Sequence, residues 1–415
     1  MLRSKMLRSI LALAFAAFAT VASAQQYMPL PPNSVIGNVF GQSNPANAIT
    51  FPQLASQLML HGGLVQGPTS STAGHPAVFG STPNVLVDGG AIAGTGTVTA
   101  VTCGAGLSGG TFNVTGTCAL NATITPQGRL TLASAAPVMT TSVAGATSVV
   151  YTNYVGNLVP IYDGTNFVPT AFSEVSQATS DATKSPTAVA PNSVYDLFVW
   201  NDGGTIRCTR GPAWTNSTTR SAGTALTSVN GMLVNNASIT NGPAANRGTY
   251  VGTIASNGSS TIDYVFGSGA SGGSAAFLGV WNAYNRVSTQ TAVNDTGTTY
   301  NYGSATIRLQ RASAGMEISF VRGLNEDAIQ VNYGTLAAPG TAAQVFLGIG
   351  LDTTSSFTSQ TATSNLVGSA VSTSTGYSTL PGIGLHFVAA LEQASTGTVS
   401  FFPNSSNVFS FVSRN

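Results

Sequence analysis

The segment Gly269-Ala270-Ser271-Gly272-Gly273 fits Gly-x-Ser-x-Gly, the sharp turn that lifts a serine hydroxyl off the end of a strand in α/β-hydrolases. Residues 261–266 before it alternate like a strand. Asp295, Asp327 and Asp352 follow, then His386, so the chain order Ser, Asp, His is met. A hydroxyl becomes a nucleophile only when an imidazole takes its proton and a carboxylate orients that imidazole. Two features argue against this use. Ser271 lies inside Gly-Ser-Gly-Ala-Ser-Gly-Gly-Ser, a low-complexity run that meets the pattern cheaply. The flanking chain also lacks the alternating helices of a doubly wound sheet.

Glycoside cleavage needs two carboxyl groups facing one bond. Glu326-Asp327 is the only adjacent acidic pair, and neighbours on a strand point to opposite faces. After Gly323-Leu324-Asn325 a solvated turn is expected for it. Glu174, Glu317 and Asp263 are too scattered to place. No catalytic residue is assigned, and no enzymatic activity is expected. His61, His75 and His386 are also scattered, and no His or Cys pair has ligand spacing, so neither metal nor cofactor is expected.

Cys103 and Cys118 could pair. In the chain-entropy model a loop of this size is worth roughly 3 kcal/mol, and an exported chain would permit the bond. The alternative is two free thiols on neighbouring strands out of register. Cys208 is left over and is expected to be buried in its strand. Trp214, Trp281, Tyr284 and Arg286 are the candidates for ligand contact, because aromatic faces stack on sugars and Arg forks onto hydroxyl or carboxylate groups. The competing reading makes Trp200 and Trp281 core anchors.

These residues must be held by a chain with little charge. Only 7% of its 415 residues are charged, with net charge +1, against about 25% in an average domain. No basic face can be assembled from 14 cations, so nucleic-acid binding is not expected. Ser, Thr, Asn and Gln must make the surface wettable. Their abundance with Val, and the near absence of Lys, favours pleated structure.

Arg3, Lys5 and Arg8, the apolar run 10–21 and Ala22-Ser23-Ala24 read as a secretory signal over 1–24, with Gln25 the mature start. An uncleaved short anchor is the alternative, and no stable membrane span is expected. Residues 25–92 read as an attachment or linker segment with one short helix around Leu54 and Leu58. Residues 93–122 read as a β-hairpin module, and 123–265 and 266–415 as two β-rich domains. Asp163-Gly164, Asn201-Asp202-Gly203-Gly204 and Asn230-Gly231 supply the positive φ of tight hairpins. Another hairpin is expected across 304–310 and 316–321. Residues 385–392 read as a strand, with helical turns over 387–393 as the alternative. The expected fold is all-β: an elongated N-terminal segment, a small β-hairpin module, then antiparallel β-sandwich-like C-terminal domains.

The Gly96-Thr97-Val98-Thr99 opening and Gly104-Ala105-Gly106-Leu107-Ser108-Gly109-Gly110 turn resemble a hairpin module of bacteriophage and prophage tail-fibre-like proteins. Similar modules are suggested by Asn33-Ser34-Val35-Ile36-Gly37-Asn38 and by Arg129-Leu130-Thr131-Leu132 through Tyr162-Asp163-Gly164-Thr165-Asn166-Phe167-Val168-Pro169. Val194-Tyr195-Asp196-Leu197-Phe198-Val199-Trp200, Arg210-Gly211-Pro212-Ala213-Trp214-Thr215, Leu278-Gly279-Val280-Trp281-Asn282-Ala283-Tyr284-Asn285-Arg286 and Gly384-Leu385-His386-Phe387 extend the likeness over most of the chain. The resemblance implies a virion or tail-associated structural protein, often a homotrimer, that touches a host glycan or receptor. It implies virion or tail proteins as partners. Tail fibres assemble in the cytoplasm, so the signal-like start points instead to an exported, periplasmic or extracellular chain. A secreted bacterial adhesin built from the same modules is therefore the alternative, and a hydrolase on Ser271 or paired acids is a further one.

Overall fold

The computed structural model describes residues 124–340, 343–363, 369–404 and 406–415, with shorter stretches between 32 and 120. The expected signal peptide (1–24) lies outside the described residues. The chain divides into two units, one of residues 1–101 with 112–115, the other of 102–111 with 116–415.

In the first unit, Ser34–Gly37 pairs antiparallel with Asn47–Thr50, and the helix Phe51–His61 follows at once. The expected helix around Leu54 is therefore present. Thr50 starts it as a capping box: Gln53 N–H donates to Thr50 Oγ1 (3.4 Å), and Thr50 N–H donates to Gln53 Oε1 (2.9 Å). A small hairpin joins Ala77–Phe79 to Leu86–Asp88. Asp88 accepts from Thr72 N–H and Gly90 N–H, each at 2.9 Å, and lies 2.6 Å from His75 Nδ1. His75 is thus paired with Asp88.

The expected hairpin module (93–122) is shared between the two units, and in its second-unit part Leu107–Ser108 pairs antiparallel with Ala119–Leu120. The body beyond it is all-β and almost wholly antiparallel. A three-stranded sheet orders Val175–Ala178, Ser148–Asn153 and Gly128–Thr131. A six-stranded sheet orders Thr205–Arg210, Val194–Asp202, Thr249–Ala255, Met232–Asn235 and Leu226–Val229, with Val280–Asn282 also on Thr249–Ala255.

Two larger sheets then face each other as a sandwich. One runs Val143–Ala146, Ile262–Val265, Ala276–Leu278, Glu317–Arg322, Gly384–Ala394, Val345–Leu351, Ser359–Thr363. The other runs Gly269–Ala270, Ser288–Asp295, Asn407–Arg414, Ile329–Pro339, Val399–Phe401, Tyr300–Tyr302, with Val371–Thr379 also on Ile329–Pro339. Phe320 of the first meets Phe411 of the second with ring centres 4.8 Å apart. Strand alternation explains the layering: Ile329, Val331, Tyr333, Thr335 and Ala337 are buried while Gln330 and Asn332 are exposed. Val194–Asp202 differs, because its first six residues are all buried and both its faces are covered.

Two expectations are corrected. The boundary at 265/266 falls within the sheets: Tyr264 pairs with Leu278, and Ile254 with Val280. The Gly-rich stretch between them is packed rather than free, since a Cβ on Gly267 would lie 2.5 Å from Val293. The hairpin across 304–310 and 316–321 also does not form. Arg308–Leu309 and Glu317–Arg322 both run antiparallel to Gly384–Ala394, so the chain bulges and resumes its direction. The bulge is built from 3₁₀ turns at Gln310–Ala312 and Ala314–Met316, where Arg311 and Ala312 have φ of 57° and 53°. Residues 384–394 form one strand, not helical turns. Among the described residues no helix is long and apolar enough to cross a membrane.

Candidate functional site

Trp214, Trp281 and Tyr284 do come together, but as core. Trp214 is 5% exposed and Trp281 is fully buried, in one cluster with Val194, Phe198, Tyr250 and Val321. Trp214 Nε1 donates to Asp196 Oδ2 at 3.1 Å, so its polar tip is spent inside the protein. Ligand contact at Trp214 and Trp281 is therefore excluded in this fold, because neither indole reaches the surface. Tyr284 packs half-buried against the same cluster and directs its hydroxyl at Met232 Sδ, 2.9 Å away. Burial pushes that phenol up to about 12.

Arg286 lies 5.3 Å from the Trp281 ring centre, and Nη1 reaches Glu326 (2.8 Å) and Asp327 (3.0 Å). The acidic neighbours thus converge on one guanidinium. They can do so because residues 323–328 form bends, and the strand rule of opposite faces does not apply. Arg286 is held in place rather than presented to a ligand.

The serine–histidine constellation is not assembled. His386 Nδ1 sits 2.8 Å from Asp352 Oδ2, while Nε2 faces the Ile383 carbonyl at 3.2 Å. Both ring nitrogens are occupied, and neither partner is Ser271. The Gly-rich turn serves Asp295 instead, whose Oδ1 accepts from Gly272 and Gly297 N–H at 2.8 Å each. Glu174 accepts from Ala135 N–H, and Asp263 from Gly145 N–H and Asn257 Nδ2. Among the described residues no His, Cys, Asp and Glu side chains group to hold a metal. Cys103 and Cys118 are joined by a disulfide. Cys208 is buried and free, and burial pushes its thiol up to about 12.

Two fully buried, heavily coordinated carboxylates lie outside the residues that the sequence points to. Asp196 accepts from Trp214, Arg220 and Thr253. Glu392, fully buried, accepts from Arg308 Nη2 (2.7 Å), Arg311 N–H (3.2 Å) and the Tyr300 hydroxyl. Burial raises its pKa above the ordinary glutamate range. A charge on a covered strand face is the available signal for Asp196; its partner Arg220 is 24 residues away and not readable from periodicity.

One shallow, open depression lies on the surface. It is a trough of about 370 Å³ on the outer face of the sheet around Ile329–Pro339, lined by Asn332, Gly334, Ser372, Ser374, Gly376 and Val408 among others. None of its lining residues is charged, and Val408 is 51% exposed. Gly334 and Gly376 leave the backbone bare, while Asn332, Ser372 and Ser374 offer amide and hydroxyl groups. The trough offers amide, hydroxyl and backbone hydrogen-bonding groups and no charged side chain.

No protein-family model and no curated protein matches the chain. Among solved structures, that of the infectious bursal disease virus Gt strain is 11% identical with a TM-score of 0.19, covering 71% of this chain and 74% of that one. The crystal structure of the T13 IBDV viral particle is 11% identical with a TM-score of 0.14, covering 61% and 65%. A likeness at these scores carries no argument about fold or function.

Proposed function

We propose that the chain is a structural and binding protein of a phage-like particle, fibre-like and homotrimeric, which contacts a neutral host glycan and catalyses no reaction. The observation that carries this reading is the uncharged, hydroxyl-lined trough on the outer face of the sandwich. It supports recognition by hydrogen bonds on a preformed surface. The trimer rests on a physical need: Leu226–Val229 ends the six-stranded sheet, and association between copies covers such edges. Finding the chain in purified particles, with a trimer mass by native mass spectrometry, is the expected result. A monomer absent from particles would refute it. Ser374→Trp should fill the trough and abolish binding on a glycan array at unchanged melting temperature.

A second reading, an exported surface adhesin, is favoured by the Cys103–Cys118 disulfide, which is typical of oxidising compartments. The mature mass separates the two. Loss of residues 1–24 supports export, and an intact start on the exported protein rules out that cleavage.

A further inference from the structure

The sandwich core carries a polar layer where an apolar one would pack. Thr335 lies between Thr373 and Asn407 in register, and all three face inward and are buried. Asn407 Oδ1 accepts from Asp295 N–H at 2.8 Å, and its Nδ2 donates to Gln310 Oε1 at 3.0 Å. Tyr333, two residues before Thr335 on the same face, is 1% exposed. Burial, then the nearby Glu392 and Asp295 carboxylates, push its phenol well above the usual range.

Tyr333 Oη, Thr335 Oγ1, Thr373 Oγ1, Gln310 Nε2 and Asp295 Oδ2 are all buried without a hydrogen-bond partner in the protein. Leaving one such group unmade costs about 1–3 kcal/mol. Valine would fill the Thr335 and Thr373 sites with the same shape and no such cost.

We infer that this layer is a built site for ordered water, held as an internal chain between the two sheets. The donor and acceptor set decides the occupant. Gln310 Nε2 only donates, Asp295 Oδ2 only accepts, and the three hydroxyls do both. Water matches that mixture, since it donates and accepts with equal ease. A cation would face the Gln310 amide hydrogens and the Arg311 guanidinium, 3.6 Å from Asp295 Oδ2. An anion would face Asp295 and Glu392. Buried waters of this kind occur about once per 27 residues and bridge about three polar groups each.

Two measurements test the site. In a crystal structure of the full chain at about 1.8 Å, ordered waters are expected within hydrogen-bond distance of Tyr333 Oη and Thr335 Oγ1; a dry layer overturns the inference. Thr335→Val and Thr373→Val, which keep shape and remove the hydroxyl, are each expected to lower the melting temperature by about 2 °C. An unchanged or raised melting temperature would mean that the hydroxyls bind nothing, and sinks the proposal.

Discussion

Arg220 closes on Asp196 as a two-pronged fork, with Nε 2.7 Å from Oδ2 and Nη2 2.9 Å from Oδ1. The same guanidinium lies 4.2 Å from the Trp214 ring centre and reaches the Gly323 carbonyl at 3.0 Å. The carboxylate is 2% exposed, so the pair is a buried one. Removing one partner strands the other charge. Asp196→Ala should therefore cost about 3–5 kcal/mol in denaturant unfolding. Arg220→Lys keeps the charge but loses the fork, and should recover only part of that loss. A variant as stable as the parent would show the pair to be dispensable.

Gly323 is a second sensitive point. A Cβ there would lie 1.9 Å from the Tyr250 hydroxyl and 2.7 Å from Trp281. Both neighbours are fully buried and cannot retreat. Gly323→Ala should lose at least about 2 kcal/mol by overpacking. Gly258→Ala, whose nearest neighbour is 3.9 Å away, serves as the control and should be within about 0.5 kcal/mol of the parent. Equal melting temperatures for the two variants would contradict this.

Thiol titration checks the cysteine assignment. Under denaturing, non-reducing conditions only Cys208 should react, and Cys103 and Cys118 should appear after reduction. Because the bridge sits in the small hairpin module, reduction should raise amide exchange around residues 101–120 and leave the melting of the large sandwich unchanged. Full reactivity before reduction would show the bond to be absent.

The acid limb of stability has a defined sign. Burial works against the Asp181 carboxylate, but hydrogen bonds from Thr183, Lys184 and Gln177 hold its pKa down to about 2. Asp88 is likewise held at about 2 by the Thr72 and Gly90 N–H groups and by His75. Folded values below the unfolded ones mean stability that is complete above about pH 4 and lost as pH falls through 2. Glu392 acts oppositely, since its raised pKa makes the fold hold a proton more tightly. Asp181→Asn should lower stability at pH 7 and flatten its slope between pH 4 and 2. A melting curve with the parent's pH slope would refute this.

Legibility in the sequence followed the range of the interaction. Asn230-Gly231 announces its hairpin because the dipeptide itself accepts positive φ, observed at 47° and 83°. Alternation in 329–339 says which side chains share a face, but not that 371–379 and 407–414 lie on either side. The bulge at Arg311 and Ala312 is not legible in the sequence, because Ala312-Ser313-Ala314-Gly315 has turn composition, and composition does not tell a reversal from a bulge. Trp281 fits the core-anchor reading, and Arg286 stacks over its ring. What local pattern could not supply is their partners, Val321 for Trp281 and Glu326 for Arg286, about 40 residues away.

The position of Asn407–Arg414, wedged between Ser288–Asp295 and Ile329–Pro339, also sets an order of events. Until this late-made strand leaves the ribosome, the two older strands have no shared partner, and Tyr333 lacks its ring contact with Phe409. The sandwich therefore closes only once this strand has been made, through pairings far apart in the chain that form slowly. That delay exposes sticky strand edges, so a holding chaperone or prompt meeting of sister chains would raise the yield of soluble protein.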